Sequence, residues 1–277
     1  MQLLSQPFLL ISFQHLKSLG GLLIKKTFDR RKKDLLFQSM PDKIMDVIKA
    51  IKTRRSIREF SDEPVPQELI ERILDSARYA PSGENSQLWR FVLVKDKESK
   101  KLIADLSQHR ARVTFGQVPF EVEQERLWYI PKDVRPDVLE RTCDGTLFRY
   151  AEQADTCIIC SYSHTYQDAP IANTAYESIV AALSMAIQNM WLTATALGLG
   201  AGFLVMPCVT DGRLEEILSD YFGFPRSWRA FGVLCIGVPR SKRHIGPSRF
   251  PLESICFTER WGMPYKRKAF AELEDEK

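Results

Sequence analysis

The chain has 277 residues, 44% hydrophobic and 27% charged, with a formal net charge of +4. That balance excludes a collagen-like, rod-like or wholly disordered chain, and the length allows one or two domains. Residues 1–44 hold eight Lys and Arg against three Asp, so the excess of basic charge lies there; the rest is near neutral, which excludes a nucleic-acid binder on charge grounds.

Residues 1–42 read as a basic N-terminal extension to one domain over residues 43–277. The run Pro7–Phe13 is apolar but has no charged segment before it and no clear small-residue cleavage site after it. It is read as an added helix or a frayed extension, or else as a surface anchor whose Arg30–Lys33 run would face anionic lipid; a charge run is more often simply solvated. No stretch reaches the roughly 18 consecutive apolar residues of a membrane span, and a cytoplasmic location is expected.

Asp42 is placed to cap a helix over 43–52, in which Ile44, Val47, Ile48 and Ile51 recur at helical spacing. Pro66 suits the first turn of a helix that runs to about Tyr79, with Leu69, Ile70, Ile73, Leu74 and Ala77 as its apolar stripe. A polar loop, Pro81–Ser86, leads to a strand at Arg90–Val94, and a helix follows near 98–107. Residues 108–145 read as a lid or insertion, whose aromatics could equally pack on the body. Ala154–Ser161 reads as a buried strand and 173–197 as a long helix, apolar nearly all round, that belongs in a core or an interface. A strand over 201–206, a helix over 211–221 and a strand over Arg229–Val238 complete the pattern.

The six cysteines are too sparse for a disulfide framework. Cys157 and Cys160 have CxxC spacing, but on a strand positions three apart point to opposite faces, which argues against a redox or metal pair. The four histidines are scattered, so no metal site is expected. Gly198-Leu199-Gly200-Ala201-Gly202 looks like a dinucleotide loop, but it closes a helix where such a loop would open one.

Three segments can carry chemistry. Arg54-Arg55-Ser56-Ile57-Arg58 concentrates guanidinium groups, which bind phosphate oxygens by charge-assisted, bidentate bonds; alone, such a cluster is usually solvated surface. The loop Pro81-Ser82-Gly83-Glu84-Asn85-Ser86-Gln87 offers backbone N–H, amide and hydroxyl groups suited to the edge of a planar ring. Far downstream, Ser248-Arg249-Phe250-Pro251 supplies another arginine. Arg149 is either a further phosphate or ribityl ligand or a structural salt-bridge partner.

In this combination and order, these segments resemble the nitroreductase family of FMN enzymes. The motifs are Arg54–Phe60, Ala80–Phe91, the apolar helix ending Ala-Leu-Gly-Leu-Gly at Gly200, and Pro247–Leu252 before Glu259-Arg260-Trp261-Gly262. The resemblance covers roughly residues 43–262. It implies an α+β fold: a central, mixed, mainly antiparallel sheet flanked by helices, in an intertwined homodimer whose C-terminal arm wraps the partner. It implies that Arg54, Ser56 and Arg249 hold the FMN phosphate, with Arg55 against phosphate or ribityl, and that Arg58 reaches the N1/O2 edge of the flavin. Pro81, Ser82, Gly83, Asn85 and Gln87 would line ring and ribityl from the partner chain, and backbone at Leu204 and Val205 would approach N5. Two departures stand out: Pro247 where many members have a basic residue, and Val205 where many have glycine.

The implied reaction passes hydride from NADH or NADPH through flavin N5 to a nitro, quinone or related small acceptor. The flavin carries the chemistry, so no catalytic side chain is named. Reductive dehalogenation is a second implied activity, since Pro-Ser-Gly is also seen in that branch. A non-catalytic FMN-binding or storage protein is the reading from outside the enzymes.

Overall fold

The computed structural model describes residues 45–116, 130–163, 172–208, 213–241, 246 and 249–265. The chain divides at Met45/Asp46 into two units, and Asp46–Lys277 is the one described below. The N-terminal extension, Asp42, Ile44, Trp128, Tyr129, Pro247 and Ser248 lie outside the described residues.

Helix α1 (Val47–Thr53) starts later than the sequence pattern suggests, because Asp46 caps it: its carboxylate accepts from Lys49 N at 3.2 Å. Its apolar stripe does not enter the core. Val47, Ile48 and Ile51 are all exposed, and only Ala50 is buried. Helix α2 (Gln67–Ala77) follows Pro66 and seats Ile70, Ile73 and Ala77 in the core as expected.

Strand β1 (Trp89–Val94) leads into α3 (Lys97–Phe115), which runs eight residues beyond the expected end. No Gly or Pro interrupts residues 97–115, and Ala111 is fully buried, so the helix ends only at Gly116. Helix α4 (Arg135–Cys143) precedes β2 (Thr156–Ser163); α5 (Ala172–Ala196), β3 (Gly200–Leu204), α6 (Arg213–Tyr221), β4 (Trp228–Gly237) and the short α7 (Leu252–Ile255) follow. Strand β3 stops short of the expected 206 because Cys208 N donates to Val205 O at 2.9 Å, which turns the chain.

The sheet order is β1-β2-β4-β3, and all its pairings are antiparallel. A parallel bridge from Ser56 to Ala201 extends the β3 edge and makes the sheet mixed. All eight residues of β2 are buried, as expected of a central strand covered on both faces. Ile158, Cys160 and Tyr162 enter the core shared with α2 and α5, while Cys157 and Ile159 enter the opposite core. The two cysteines of the CxxC spacing therefore face apart. Cys157 lies instead across from Cys235, with their sulfurs 3.8 Å apart.

Helix α5 ends in a Schellman cap. Leu199 N donates to Ala194 O at 2.9 Å, Gly198 N donates to Thr195 O at 3.0 Å, and Gly198 adopts φ +77°. The glycine-rich run thus terminates a helix. Between Tyr176 and Ala196, α5 is long and apolar enough by length and composition to cross a membrane, but Leu183, Ala186, Met190 and Ala194 pack into the α2 side of the core.

Beyond the cap, β3 lies so close to residues 56–57 that a Cβ on Gly202 would overlap the Ile57 carbonyl and press on the Tyr150 ring. Ile57 N donates to Ala201 O at 2.9 Å along the same seam. Gly202→Ala should therefore lower stability by about 1–3 kcal/mol, read by chemical denaturation. An unchanged midpoint would show that residues 56–57 can move off β3 freely.

Candidate functional site

Three arginines converge where α1 ends beside α5. Arg54, at the C-cap of α1, lays its guanidinium over the Trp191 ring, 4.5 Å from the centroid. Its Nη1 is buried and has no hydrogen-bond partner. Arg55 donates from Nη1 to the Lys52 and Arg54 carbonyls at 2.9 and 2.8 Å, while its Nε is buried and unpartnered. Gly246 passes so close to this guanidinium that any Cβ there would overlap it. Burial, and then the charges of Arg249 and Arg55, hold the Arg54 pKa below its ordinary value. Among the described residues, no carboxylate pairs with Arg54. Buried donors left without partners, here Arg54 Nη1 and Arg55 Nε, cost the folded chain free energy, and an anion is a group that could satisfy them.

The chain leaves the cluster as an extended segment beside β3. Ser56 is exposed and bridges Ala201, and Arg58 is exposed two residues on. The Arg58 charge is felt by the buried Tyr150 phenol, whose pKa is nonetheless raised well above the usual value, chiefly by desolvation. Leu204 ends β3 fully buried, and Val205 follows half-buried. The structure thus brings residues 54–58 and 201–205 side by side, with Arg249 near Arg54.

Residues 81–87 lie elsewhere. Glu84, Asn85 and Gln87 hold φ of +54°, +53° and +47°, left-handed values that cost non-glycine residues of order 1 kcal/mol or more each. The loop is fixed by its own bonds: Asn85 N to Ser82 O at 3.0 Å, Gln87 N to Ser82 Oγ at 3.1 Å, and Gln87 Nε2 to Asn85 Oδ1 at 3.1 Å. It borders a cleft of about 160 Å³ that is closed by Ser178, Ile179 and Ala182 of α5. Trp191 lies nine to thirteen residues further along the same helix than these three, roughly 14–20 Å at about 1.5 Å per residue. Within one protomer the loop and the arginine cluster thus flank different turns of α5.

Arg149 is used structurally. It bonds Asp105 at 2.7 Å and Gln108 at 2.6 Å, and it pairs with Glu152. Sequence reasoning passed over Trp191, Gly246 and Tyr150. The signal for the first was a tryptophan that is the one aromatic residue between Ser178 and Ala196 of α5.

Residues 51–238 match the family model of the nitroreductase family. A Methanothermobacter thermautotrophicus protein provisionally named an NADH dehydrogenase/NAD(P)H nitroreductase is 31% identical over 213 residues, covering 76% of this chain and 87% of the relative. An FMN reductase [NAD(P)H] of Bacillus subtilis is 44% identical over 62 residues, 22% of this chain and 25% of the relative. Among solved structures, a BluB-like flavoprotein from Clostridium difficile superimposes with a TM-score of 0.55 at 24% identity, covering 78% of this chain and all of that one; the likeness is one of fold.

Proposed function

The chain belongs to the nitroreductase family, and on that premise we propose that it is a homodimeric, FMN-dependent oxidoreductase. It takes hydride from NADH or NADPH and passes the electrons to a nitro, quinone or related small acceptor. The observation that carries the reading is the arginine cluster. Arg54 Nη1 and Arg55 Nε are buried without partners beside Arg249, and a phosphate dianion is the complement of such a group.

Arg54, Arg55, Ser56 and Arg249 would hold the phosphate. Arg58 would set a cation at the N1/O2 edge, where it favours negative charge on the reduced ring. Backbone at Leu204 and Val205 would border N5. Bound FMN supplies a two-electron carrier between donor and acceptor. Pro81, Ser82, Gly83, Asn85 and Gln87 would come from the partner, a reading supported by the cleft beside their loop, whose α5 wall lies roughly 14–20 Å along the helix from Trp191 and Arg54.

Dimer formation is supported by apolar surface that is exposed among the described residues. From Ser178 to Ala196, α5 carries no charged residue, and its Met185 is 41% exposed. Beside it α1 exposes Val47, Ile48 and Ile51. The C-terminal segment exposes Phe250, Ile255 and Trp261, the last to 90%.

Anaerobic addition of NADH and NADPH in turn tests the reading. Loss of the flavin band with at least one donor, and its return on adding a nitroaromatic or quinone, is the expected result. A band that persists with both donors identifies a binding or storage protein instead. Pro81-Ser82-Gly83 is also seen in the dehalogenase branch, which leaves reductive dehalogenation as a second reading; release of halide from a halogenated phenol by the reduced protein, with no return of the band on nitroaromatics or quinones, would select it.

A further inference from the structure

We infer that Trp191 is a positioning residue for phosphate recognition, holding the Arg54 guanidinium in place without neutralising it; the inference rests on the FMN-phosphate reading of the arginine cluster. A guanidinium that must meet an anion can be fixed by a carboxylate or by an aromatic face. A carboxylate would cancel the charge and compete with the phosphate. A ring holds the cation through its quadrupole and leaves the charge whole.

The geometry is of the second kind. Arg54 Cζ stands 4.5 Å above the Trp191 ring centroid, and no carboxylate among the described residues pairs with it. The ring is itself held. Trp191 sits on α5 with the Phe203 ring 6.5 Å away, and Thr195 Oγ1 donates to the Trp191 carbonyl at 3.0 Å. Its indole Nε1 is buried and without a partner, like Arg54 Nη1. The cation that the ring holds thus keeps an unsatisfied Nη1 donor, which a polyoxygen anion would satisfy.

The test reads binding on the full chain freed of flavin, by quenching of flavin fluorescence, with FMN and riboflavin as probes. The two differ only in the phosphate. Trp191→Leu should raise the FMN Kd about ten-fold and leave riboflavin within about two-fold. Trp191→Phe, with a weaker π face, should raise the FMN Kd only about two- to three-fold. In an Arg54→Leu background, Trp191→Leu should have little further effect on FMN, because its role runs through that guanidinium.

Equal loss of FMN and riboflavin, or no loss of either, would overturn the inference, as would a full additional loss in the Arg54→Leu background. If the leucine variant does not fold, the phenylalanine variant decides by the same criterion. A wild-type protein that binds FMN no better than riboflavin would instead sink the phosphate site itself, and with it this role for Trp191.

Discussion

Arg54→Leu is expected to weaken FMN binding by about two orders of magnitude while riboflavin binding changes little. A hydrogen bond between charged partners contributes about 1.5–3 kcal/mol, and here the guanidinium is partly desolvated and aimed by Trp191, which places the effect toward the upper end. Arg54→Lys keeps the charge but not the planar fork, and should fall between, at about ten-fold. The substitution should not destabilise the flavin-free chain. Burial and the charges of Arg249 and Arg55 already disfavour the charged form of Arg54, so the leucine variant should melt no lower than wild type. Loss of flavin together with loss of the fold would show that Arg54 is structural and that its unpartnered nitrogen has no ligand role.

The second large effect concerns the two-chain site. Met185→Asp places a carboxylate on the charge-free face of α5, where it lies 41% exposed in the protomer. In a two-fold dimer packed through that face, each copy buries an unpaired charge, costing on the order of 3 kcal/mol or more per copy. The dimer should dissociate at micromolar concentration, as light scattering or sedimentation would report. Flavin should be lost with it, because residues 81–87 and the arginine cluster of one protomer are separated along α5. A variant that becomes monomeric yet retains FMN would contradict the shared site. One that stays dimeric would place the interface elsewhere.

Much of this was legible in the residues. Alternation along β2 predicted that Cys157 and Cys160 face apart, and they do. The glycines after α5 read correctly as a helix terminus, since Gly198 takes the left-handed value of a Schellman cap. The α1 stripe was legible as apolar, but whether it faces a core or solvent depends on what packs against it, and periodicity is silent on that. The extent of α3 was missed because Gln108, His109, Arg110 and Arg112 break the apolar stripe over 108–115, a stretch that reads as an insertion yet has no helix breaker.

The candidate site divides in the same way. Residue type marked the arginines, and the family resemblance gave them a ligand. Trp191 was hidden because a tryptophan on an apolar helix reads as core, and only coordinates show a guanidinium on its face. The strain in residues 84–87 was invisible because Glu84, Asn85 and Gln87 adopt backbone values usually left to glycine. The separation of the loop from the arginines is a property of helix length and could not be read from either motif alone.

The most direct test of the central claim is the visible spectrum of the purified protein, with any chromophore identified after denaturation. Bands near ~450 and ~375 nm, and release of FMN rather than riboflavin or FAD, are the predicted result for a flavoprotein cofactor. A colourless protein that also fails to take up added FMN would contradict the account, since Arg54, Ser56 and Arg249 would then form no phosphate site.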